Sequence, residues 1–227
     1  MSAIDEEMRA QREAMVREVE QSAASLTSEL GRGALSPRVL AALRAVPRDL
    51  FVPPEHISDA YRNRPVPIGY GQTISQPMIV ALMTDILDLK PGDKVLDVGT
   101  GSGYQAAVLA QLVDIVHTIE LCAPLAERAA RTFKALGLGN IHTRIGDGHL
   151  GWPEAAPFDA ILVAAAAAEV PEALIQQLAP GRRLLMSVGG TAQQLILVEK
   201  RSDQSTVLRE IIPVCFVPMT RQGTPKD

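Results

Sequence analysis

The feature that most constrains this chain is an apolar run that enters a turn with three glycines and continues as an alanine-rich segment. It reads Val95-Leu-Asp-Val-Gly-Thr-Gly-Ser-Gly-Tyr-Gln-Ala-Ala-Val-Leu-Ala110. The run predicts a strand and the alanine-rich segment a helix. Gly99, Gly101 and Gly103 suit the turn between them, because glycine takes positive φ freely and has no Cβ to keep a ligand away. This order is typical of a nucleotide-type cofactor site at the carboxyl end of a parallel strand.

Alternating strands and helices follow that turn. We predict strands at residues 94–98, 114–119, 141–145, 159–164, 182–188, 194–200 and 206–214, and helices at 103–112, 123–136 and 171–178. The alternation predicts an α/β, doubly wound, mostly parallel seven-stranded sheet with helices on both faces. Only a polar turn separates the last two strands, so they should form an antiparallel C-terminal hairpin at one edge. The five alanines at 164–168 are interpreted as a turn after a strand.

The N-terminal part has a different character. Residues 4–30 are predicted to form an amphipathic helix, and Ser36 should cap a short helix that ends at Val46. Proline-rich residues 47–67 should be irregular. Ser75 is expected to cap a further helix from residue 76 to about 87.

Composition bounds the class of protein. The 227 residues, 47% of them hydrophobic, suit a cofactor-binding core over 91–227 with a helical extension over 1–90, packed as one compact unit. A net charge of −4 without a basic block argues against a nucleic-acid partner. No apolar run reaches the roughly 18 residues that a membrane span needs, and the first 20 residues are too charged for a secretory signal. Cytoplasmic localisation is therefore expected, with Cys122 and Cys215 as buried free thiols.

The glycine turn alone does not identify the cofactor, because Gly101-Ser-Gly103-Tyr-Gln-Ala106 also fits the dinucleotide pattern. Three alternate glycines after Asp97 are similar to the loop of S-adenosylmethionine-dependent methyltransferases. Glu120 ends the second predicted strand, where a carboxylate can accept hydrogen bonds from both ribose hydroxyls. A dinucleotide enzyme can carry that carboxylate too, and a solvated glutamate at a strand end is a further alternative.

The turn Gly146-Asp147-Gly148 follows the third predicted strand. Its Asp side chain and backbone could hold an adenine edge, whereas an ordinary Asp-Gly turn is the alternative. Because it follows a glycine loop and a ribose acid, we favour the adenine site. The antiparallel edge of the sheet also resembles the seven-stranded methyltransferase fold, so the expected cofactor is S-adenosylmethionine.

A second motif narrows the class. Gly69-Tyr-Gly-Gln-Thr-Ile-Ser-Gln-Pro77, with the loop at 95–104, the turn at 146–148 and Phe216-Val-Pro-Met-Thr220, resembles the protein-L-isoaspartate (D-aspartate) O-methyltransferase family. These motifs occur in the same order as in the family, and the resemblance extends from about Arg38 to Thr220. It implies methyl transfer to the α-carboxylate of L-isoaspartyl residues in damaged proteins and peptides. The ester then collapses to a succinimide, whose hydrolysis returns some normal aspartate.

The resemblance also implies residue roles. It makes Ser75 the active-site residue, although a serine before Gln-Pro is otherwise an ordinary helix cap. The implied cofactor-binding residues are Thr73, Ile74, Gly99, Gly101, Gly103, Glu120, Asp147, Gly148 and Thr220. The acceptor carboxylate is already ionised at neutral pH, so the enzyme needs little more than correct placement of the reactants. The four histidines are scattered, and no metal site is expected.

Some positions depart from the family pattern. Ala164-Ala-Ala-Ala167 stands where members typically read Thr-Ala-Ala-Pro, and Cys215 stands where many bacterial members carry arginine. Arg182 and Ser187 replace a usual glycine and a common proline. These departures leave the acceptor preference open. The alternatives are a carboxyl methyltransferase for a different dedicated acceptor, or a non-catalytic or dinucleotide-binding module; a monomer is favoured.

Overall fold

Seven strands form the central sheet in the computed structural model, which describes residues 3–25 and 34–221. A small separate hairpin precedes them, made of β1 (Val66–Gly69) and β2 (Gln72–Ile74). The strands of the central sheet are β3 (Lys94–Val98), β4 (Ile115–Glu120), β5 (Ile141–Ile145), β6 (Phe158–Ala167), β7 (Leu178–Gly189), β8 (Gln193–Lys200) and β9 (Thr206–Val214).

The sheet has the order β5-β4-β3-β6-β7-β8-β9. The first five strands in this order run parallel, and β8 is antiparallel to both β7 and β9. This confirms the predicted fold class, including the antiparallel hairpin at the edge. The chain leaves β3 for β4 on one side and later returns to β6 on the other. This reversal opens a crevice at the carboxyl ends of these strands, which is the usual place for a ligand in such sheets.

The helices pack on both faces of the sheet. They are α1 (Ala3–Ala24), α2 (Pro37–Ala45), α3 (Pro77–Ile86), α4 (Tyr104–Leu109), α5 (Ala123–Ala135) and α6 (Glu172–Gln177). Alternate residues of a strand belong to two different hydrophobic clusters, as Val95 and Leu96 show in β3. Helices α1 to α5 contribute to the cluster that contains Val95, and α6 to the other. No helix among the described residues is long and apolar enough to cross a membrane.

The two predicted helix caps have different outcomes. Ser36 does cap α2, since its side chain accepts a hydrogen bond from the backbone N–H of Arg38 at 3.3 Å. The expectation for Ser75 is wrong: Gln76 is the residue at the N-cap of α3, and the backbone N–H of Met78 in its first turn donates instead to Oδ1 of Asn63 at 3.0 Å. Helix α1 ends at Ala24, and the rest of its predicted range, from residue 26, lies outside the described residues.

The alanine run is not a turn. Strand β6 continues to Ala167, with a register irregularity between Val163 and Ala166. The physical reason lies in the C-terminal segment, which pairs with the end of this strand. Ala166 donates its N–H to the carbonyl of Val217 at 2.9 Å and accepts the N–H of Met219 at 2.7 Å. Pairing with a distant segment thus extends the strand beyond the point where the local sequence predicted its end.

Three further expectations need correction. Residues 47–67 are not irregular throughout, because they contain two 3₁₀ helices, Arg48–Phe51 and Pro54–Asp59, and the start of β1. Helix α4 ends at Leu109 rather than at 112. Both cysteines are free, as expected, but neither is buried: Cys122 is half-buried and Cys215 is exposed.

Gly103, the last glycine of the turn, has a packing reason to be glycine. It has φ +93°, a conformation that L side chains rarely adopt, and a Cβ there would lie 2.7 Å from the ring of Phe133 in α5. Gly137 has a similar φ, +67°, but a Cβ there would meet nothing within 4 Å. The two positions therefore separate backbone strain from steric overlap.

We predict that Gly103→Ala destabilises the fold more than Gly137→Ala. Both substitutions incur about 1–2 kcal/mol for the left-handed backbone, and only the first adds about 1–3 kcal/mol of overpacking. Urea unfolding of both variants measures the difference in the free energy of unfolding. Equal losses would mean that Phe133 moves away freely and that packing does not explain Gly103.

Candidate active site

A cavity of about 270 Å³ opens at the carboxyl ends of β3, β4 and β6. Four parts of the chain supply most of its wall: residues 72–75, the glycine turn with the start of α4, residues 119–122, and the C-terminal segment 217–220. Eight of the ten residues predicted for the site line this cavity: Thr73, Ile74, Ser75, Gly99, Gly101, Glu120, Gly148 and Thr220. Within residues 3–25 and 34–221, the lining includes no lysine, arginine or histidine side chain.

The glycine turn is held by hydrogen bonds from its own backbone. The N–H groups of Gly99 and Thr100 both donate to the carbonyl of Ile119, at 2.9 and 3.2 Å. Those of Gly103 and Tyr104 donate to the Thr100 carbonyl and the Ser102 hydroxyl. Together with Gly101, five of the six N–H groups from Gly99 to Tyr104 therefore have acceptors inside the protein. Only one N–H group of the turn, that of Ser102, lacks an acceptor among the described residues and remains to bind a phosphate.

Glu120 ties the turn to the end of β4. Its Oε2 accepts the N–H of Gly101 at 2.8 Å, and its Oε1 accepts the N–H of Cys122 at 2.8 Å. Each carboxylate oxygen can accept further hydrogen bonds, so Glu120 can still bind hydroxyl groups in the cavity that it lines. A carboxylate at this position suits the ribose of either kind of cofactor, so Glu120 alone does not separate a dinucleotide from S-adenosylmethionine.

A buried acid lies beneath the turn. Asp97, at the end of β3, has no exposed surface. The Thr118 hydroxyl donates to its Oδ2 at 2.7 Å and lies 2.6 Å from the hydroxyl of Thr100, which lines the cavity. Because Thr118 uses its proton on Asp97, the Thr100 hydroxyl is the donor to Thr118. The other oxygen of Asp97, Oδ1, is buried and has no partner among the described residues.

Two residues predicted for the site do not line the cavity. Gly103 packs against Phe133, as described above. Asp147 lines a neighbouring cavity, and its Oδ1 accepts the backbone N–H of His149 at 2.9 Å and lies 3.0 Å from His149 Nδ1. Asp147 thus caps a 3₁₀ turn, Gly148–Leu150. Its role toward an adenine stays a prediction.

Ser75 lies where the cavity meets a second opening, which we name the outer groove. The outer groove is lined by Pro65, Thr73, Ser75, Gln76, Ile79, Ala164 and residues 213–217. No hydrogen bond of the Ser75 hydroxyl to another described residue is found, whereas its backbone carbonyl accepts a hydrogen bond from Arg48. The hydroxyl is therefore available to a ligand that reaches from one opening to the other.

Several lining residues were not predicted from the sequence. Thr100 and Ser102 lie between the predicted glycines, and the alternation of the loop gave a signal for them. Tyr104, Ala164 and Val217 lie in the motifs or departures named above, but no role was predicted for them, and Val80 of α3 had no signal at all because only the folded chain brings it to the cavity. Among the described residues, no group of three or more His, Cys, Asp or Glu side chains could hold a metal ion.

The carboxyl of Asp97 predicts a dependence of stability on pH. Burial, with a smaller contribution from the charge of Glu120, raises the pKa of Asp97 to about 7 despite the hydrogen bond from Thr118. In the unfolded chain the pKa of an aspartate is about 4. Between about pH 4 and pH 7 the folded state therefore binds more protons, and the free energy of unfolding should fall as the pH rises.

We predict that Asp97→Asn removes this decrease in the free energy of unfolding with rising pH, which is on the order of a few kcal/mol. The asparagine oxygen can still accept from Thr118, so the variant should fold. Urea unfolding of both proteins at pH 5, 6, 7 and 8 tests this. Parallel profiles for the two proteins would show that Asp97 is not the group responsible.

Comparison with known proteins agrees with this geometry. The model of the family described as protein-L-isoaspartate (D-aspartate) O-methyltransferase matches residues 21–224. A protein of Syntrophobacter fumaroxidans named protein-L-isoaspartate O-methyltransferase 2 is 51% identical over 222 residues, which is 97% of this chain and 90% of the relative.

Two solved structures are similar as well. One is named protein-L-isoaspartate O-methyltransferase, with a TM-score of 0.81 and 26% identity; the match covers 91% of this chain and 65% of that one. The other is described as a protein-L-isoaspartate O-methyltransferase (PCMT) from Plasmodium falciparum and is in complex with S-adenosyl-L-homocysteine. It has a TM-score of 0.74 and 26% identity, and the match covers 82% of this chain and 92% of that one. With the family model matching most of its length, the chain belongs to the protein-L-isoaspartate (D-aspartate) O-methyltransferase family.

Proposed function

We propose that this protein transfers a methyl group from S-adenosylmethionine to the α-carboxylate of L-isoaspartyl residues in damaged proteins and peptides. The single observation that carries the proposal is the position of Ser75, in the family motif, at the junction of the cavity and the outer groove. A cofactor in the cavity and a peptide in the outer groove would meet at that residue. Family membership supplies the reaction class.

The chemistry of the cavity supports this cofactor rather than a dinucleotide. A pyrophosphate needs free N–H groups or cationic side chains. The turn has one N–H, that of Ser102, without an acceptor among the described residues, and the lining has no cationic side chain. The Glu120 carboxylate, which lines the cavity, is compatible instead with a ligand that carries a positive charge. Glu120 would accept from ribose hydroxyls, and Thr73, Ile74 and Thr220 would close the cavity around the ligand.

The residues on the acceptor side need to orient a carboxylate and do not need to deprotonate it. S-adenosylmethionine brings a methyl group on a positively charged sulfur, and an ionised carboxylate can displace it directly. The Ser75 hydroxyl, which has no hydrogen-bond partner among the described residues, would donate a hydrogen bond to one carboxylate oxygen and leave the other free to attack. Placement of this kind can account for a large part of a rate enhancement.

There is a second candidate for the methyl acceptor. Ala164 lines both openings and Cys215 lines the outer groove, and both are departures from the family pattern. A different dedicated carboxylate acceptor is therefore the alternative to isoaspartyl peptides. The two-part division at residue 90, the cytoplasmic location, the monomeric state and the lack of nucleic-acid or membrane partners stay predictions from the sequence.

The direct test uses radiolabelled S-adenosylmethionine and two matched peptides, one with L-isoaspartate and one with normal L-aspartate. We expect base-labile label in the isoaspartyl peptide alone, because a methyl ester is cleaved by base. Label in neither peptide, while S-adenosylhomocysteine still binds, would contradict the isoaspartyl acceptor and favour the dedicated one. Binding of NAD in its place would contradict the whole proposal.

We predict that Ser75→Ala lowers methylation about tenfold to a hundredfold, the range for loss of a hydrogen bond to a charged group. Stability should change little, because Ser75 does not cap α3. Methylation rate, S-adenosylhomocysteine binding and urea unfolding are measured on one preparation. Ser36→Ala is the matched control: it removes a real cap, should cost about 1 kcal/mol of stability, and should leave methylation unchanged. An equal loss of turnover and cofactor affinity in folded Ser75→Ala would contradict a role at the acceptor.

A further inference from the structure

A fully buried arginine lies directly behind Ser75. Arg48 has no exposed surface. Its Nε donates to the carbonyl of Ala60 and its Nη2 to the carbonyl of Ser75, both at 2.8 Å. Its Nη1 is buried without a hydrogen-bond partner, and no carboxylate among the described residues forms an ion pair with it.

Arg48 also contacts the wall of the cavity. Its guanidinium carbon lies 4.7 Å from the centroid of the Tyr104 ring, and Tyr104 lines the cavity. Phe51 meets the same ring edge-on, with centroids 5.6 Å apart. The charge of Arg48 is thus one side chain away from the ligand space, on the side of the cavity that Ser75 occupies.

The energetics argue against a purely structural role. A buried cation without a carboxylate partner is costly, and an apolar side chain could fill the same space at lower cost. Burial lowers the pKa of Arg48 to about 10, which still leaves it protonated at neutral pH. An arginine can join two backbone carbonyls by hydrogen bonds without being fully buried. Arg38 also bridges two carbonyls, those of Leu89 and Leu112 at 2.9 Å, but it does so as an exposed residue and lines neither opening.

We propose that Arg48 is a positioning residue for methyl transfer, which holds Ser75 through its carbonyl and favours a negatively charged acceptor there. The inference rests on the proposed function, because the acceptor is the carboxylate assigned above. Arg48 acts through Ser75 and through space, without touching the substrate. Among the described residues its charge has no carboxylate partner, so a bound acceptor would supply one, and its effect falls on the acceptor and not on the cofactor.

The test compares Arg48→Met, Arg48→Lys and the control Arg38→Met. On enzyme saturated with S-adenosylhomocysteine, calorimetry measures the affinity for an isoaspartyl peptide and for the same peptide with its α-carboxylate amidated. We expect Arg48→Met to bind the carboxylate peptide about tenfold to a hundredfold more weakly, the size of one charge interaction over several ångströms at an effective dielectric near 20. Its affinities for the amidated peptide and for S-adenosylhomocysteine should change less than about threefold.

The lysine variant separates charge from geometry. Lysine keeps the charge but lacks the planar fork that reaches both carbonyls. Arg48→Lys should therefore keep most of the peptide affinity, and so its KM, while its kcat falls because Ser75 is less well held. Arg38→Met should lose stability with KM and kcat unchanged. If Arg48→Met does not fold, the lysine variant alone decides: a kcat loss at near-constant KM supports the proposal, and unchanged kcat and KM overturn it.

The outcomes also separate this inference from the proposed function. Equal losses of affinity for the carboxylate and amidated peptides in Arg48→Met would overturn the charge effect. A wild-type protein that methylates isoaspartyl peptide, with Arg48 variants affected only in stability, would overturn the inference and leave the function intact. A wild-type protein that does not bind or methylate that peptide would be a failure of the proposed function itself.

Discussion

The site depends on the way that the end of β4 holds the glycine turn after β3. The Ile119 carbonyl accepts two N–H groups of the turn, and the Glu120 carboxylate accepts a third. These bonds fix the path of the backbone together with the Thr100 and Ser102 hydroxyls, and they also use the donors that a phosphate would need. The same interaction therefore shapes the cavity and selects the class of ligand. A dinucleotide loop and this loop share a sequence pattern but differ in what their N–H groups bind.

Much of this arrangement was readable from local sequence. The strands and the antiparallel edge followed from apolar runs and turns, because periodicity within a short window reflects burial. The glycine turn and Glu120 were readable because each lies at the end of a strand. Local signals failed where a distant segment decides the conformation. Ala166 extends β6 because residues 217 and 219 pair with it, and the β1–β2 hairpin arises between two short strands without a strong pattern.

Side-chain partners were the least predictable part. A serine before Gln-Pro looks like a cap, yet the helix begins one residue later and leaves the Ser75 hydroxyl available. Asp147 takes the local hydrogen bond to His149 that an Asp-Gly turn offers. Nothing near Arg48 in the sequence shows that it is buried, because its acceptors, on Ala60 and Ser75, come from later segments. Such contacts depend on the whole fold, so periodicity and spacing cannot show them.

The charges around the two openings complement the charges of the proposed reactants. Glu120 lies on the cofactor side, and Arg48 lies behind Ser75 on the acceptor side. A sulfonium and a carboxylate each meet the opposite charge. Methyl transfer converts this pair into a neutral thioether and a neutral ester, so the protein's charges lose their partners when the reaction is complete. An arrangement of this kind binds the two charged reactants better than the two neutral products, and it therefore favours release of the ester.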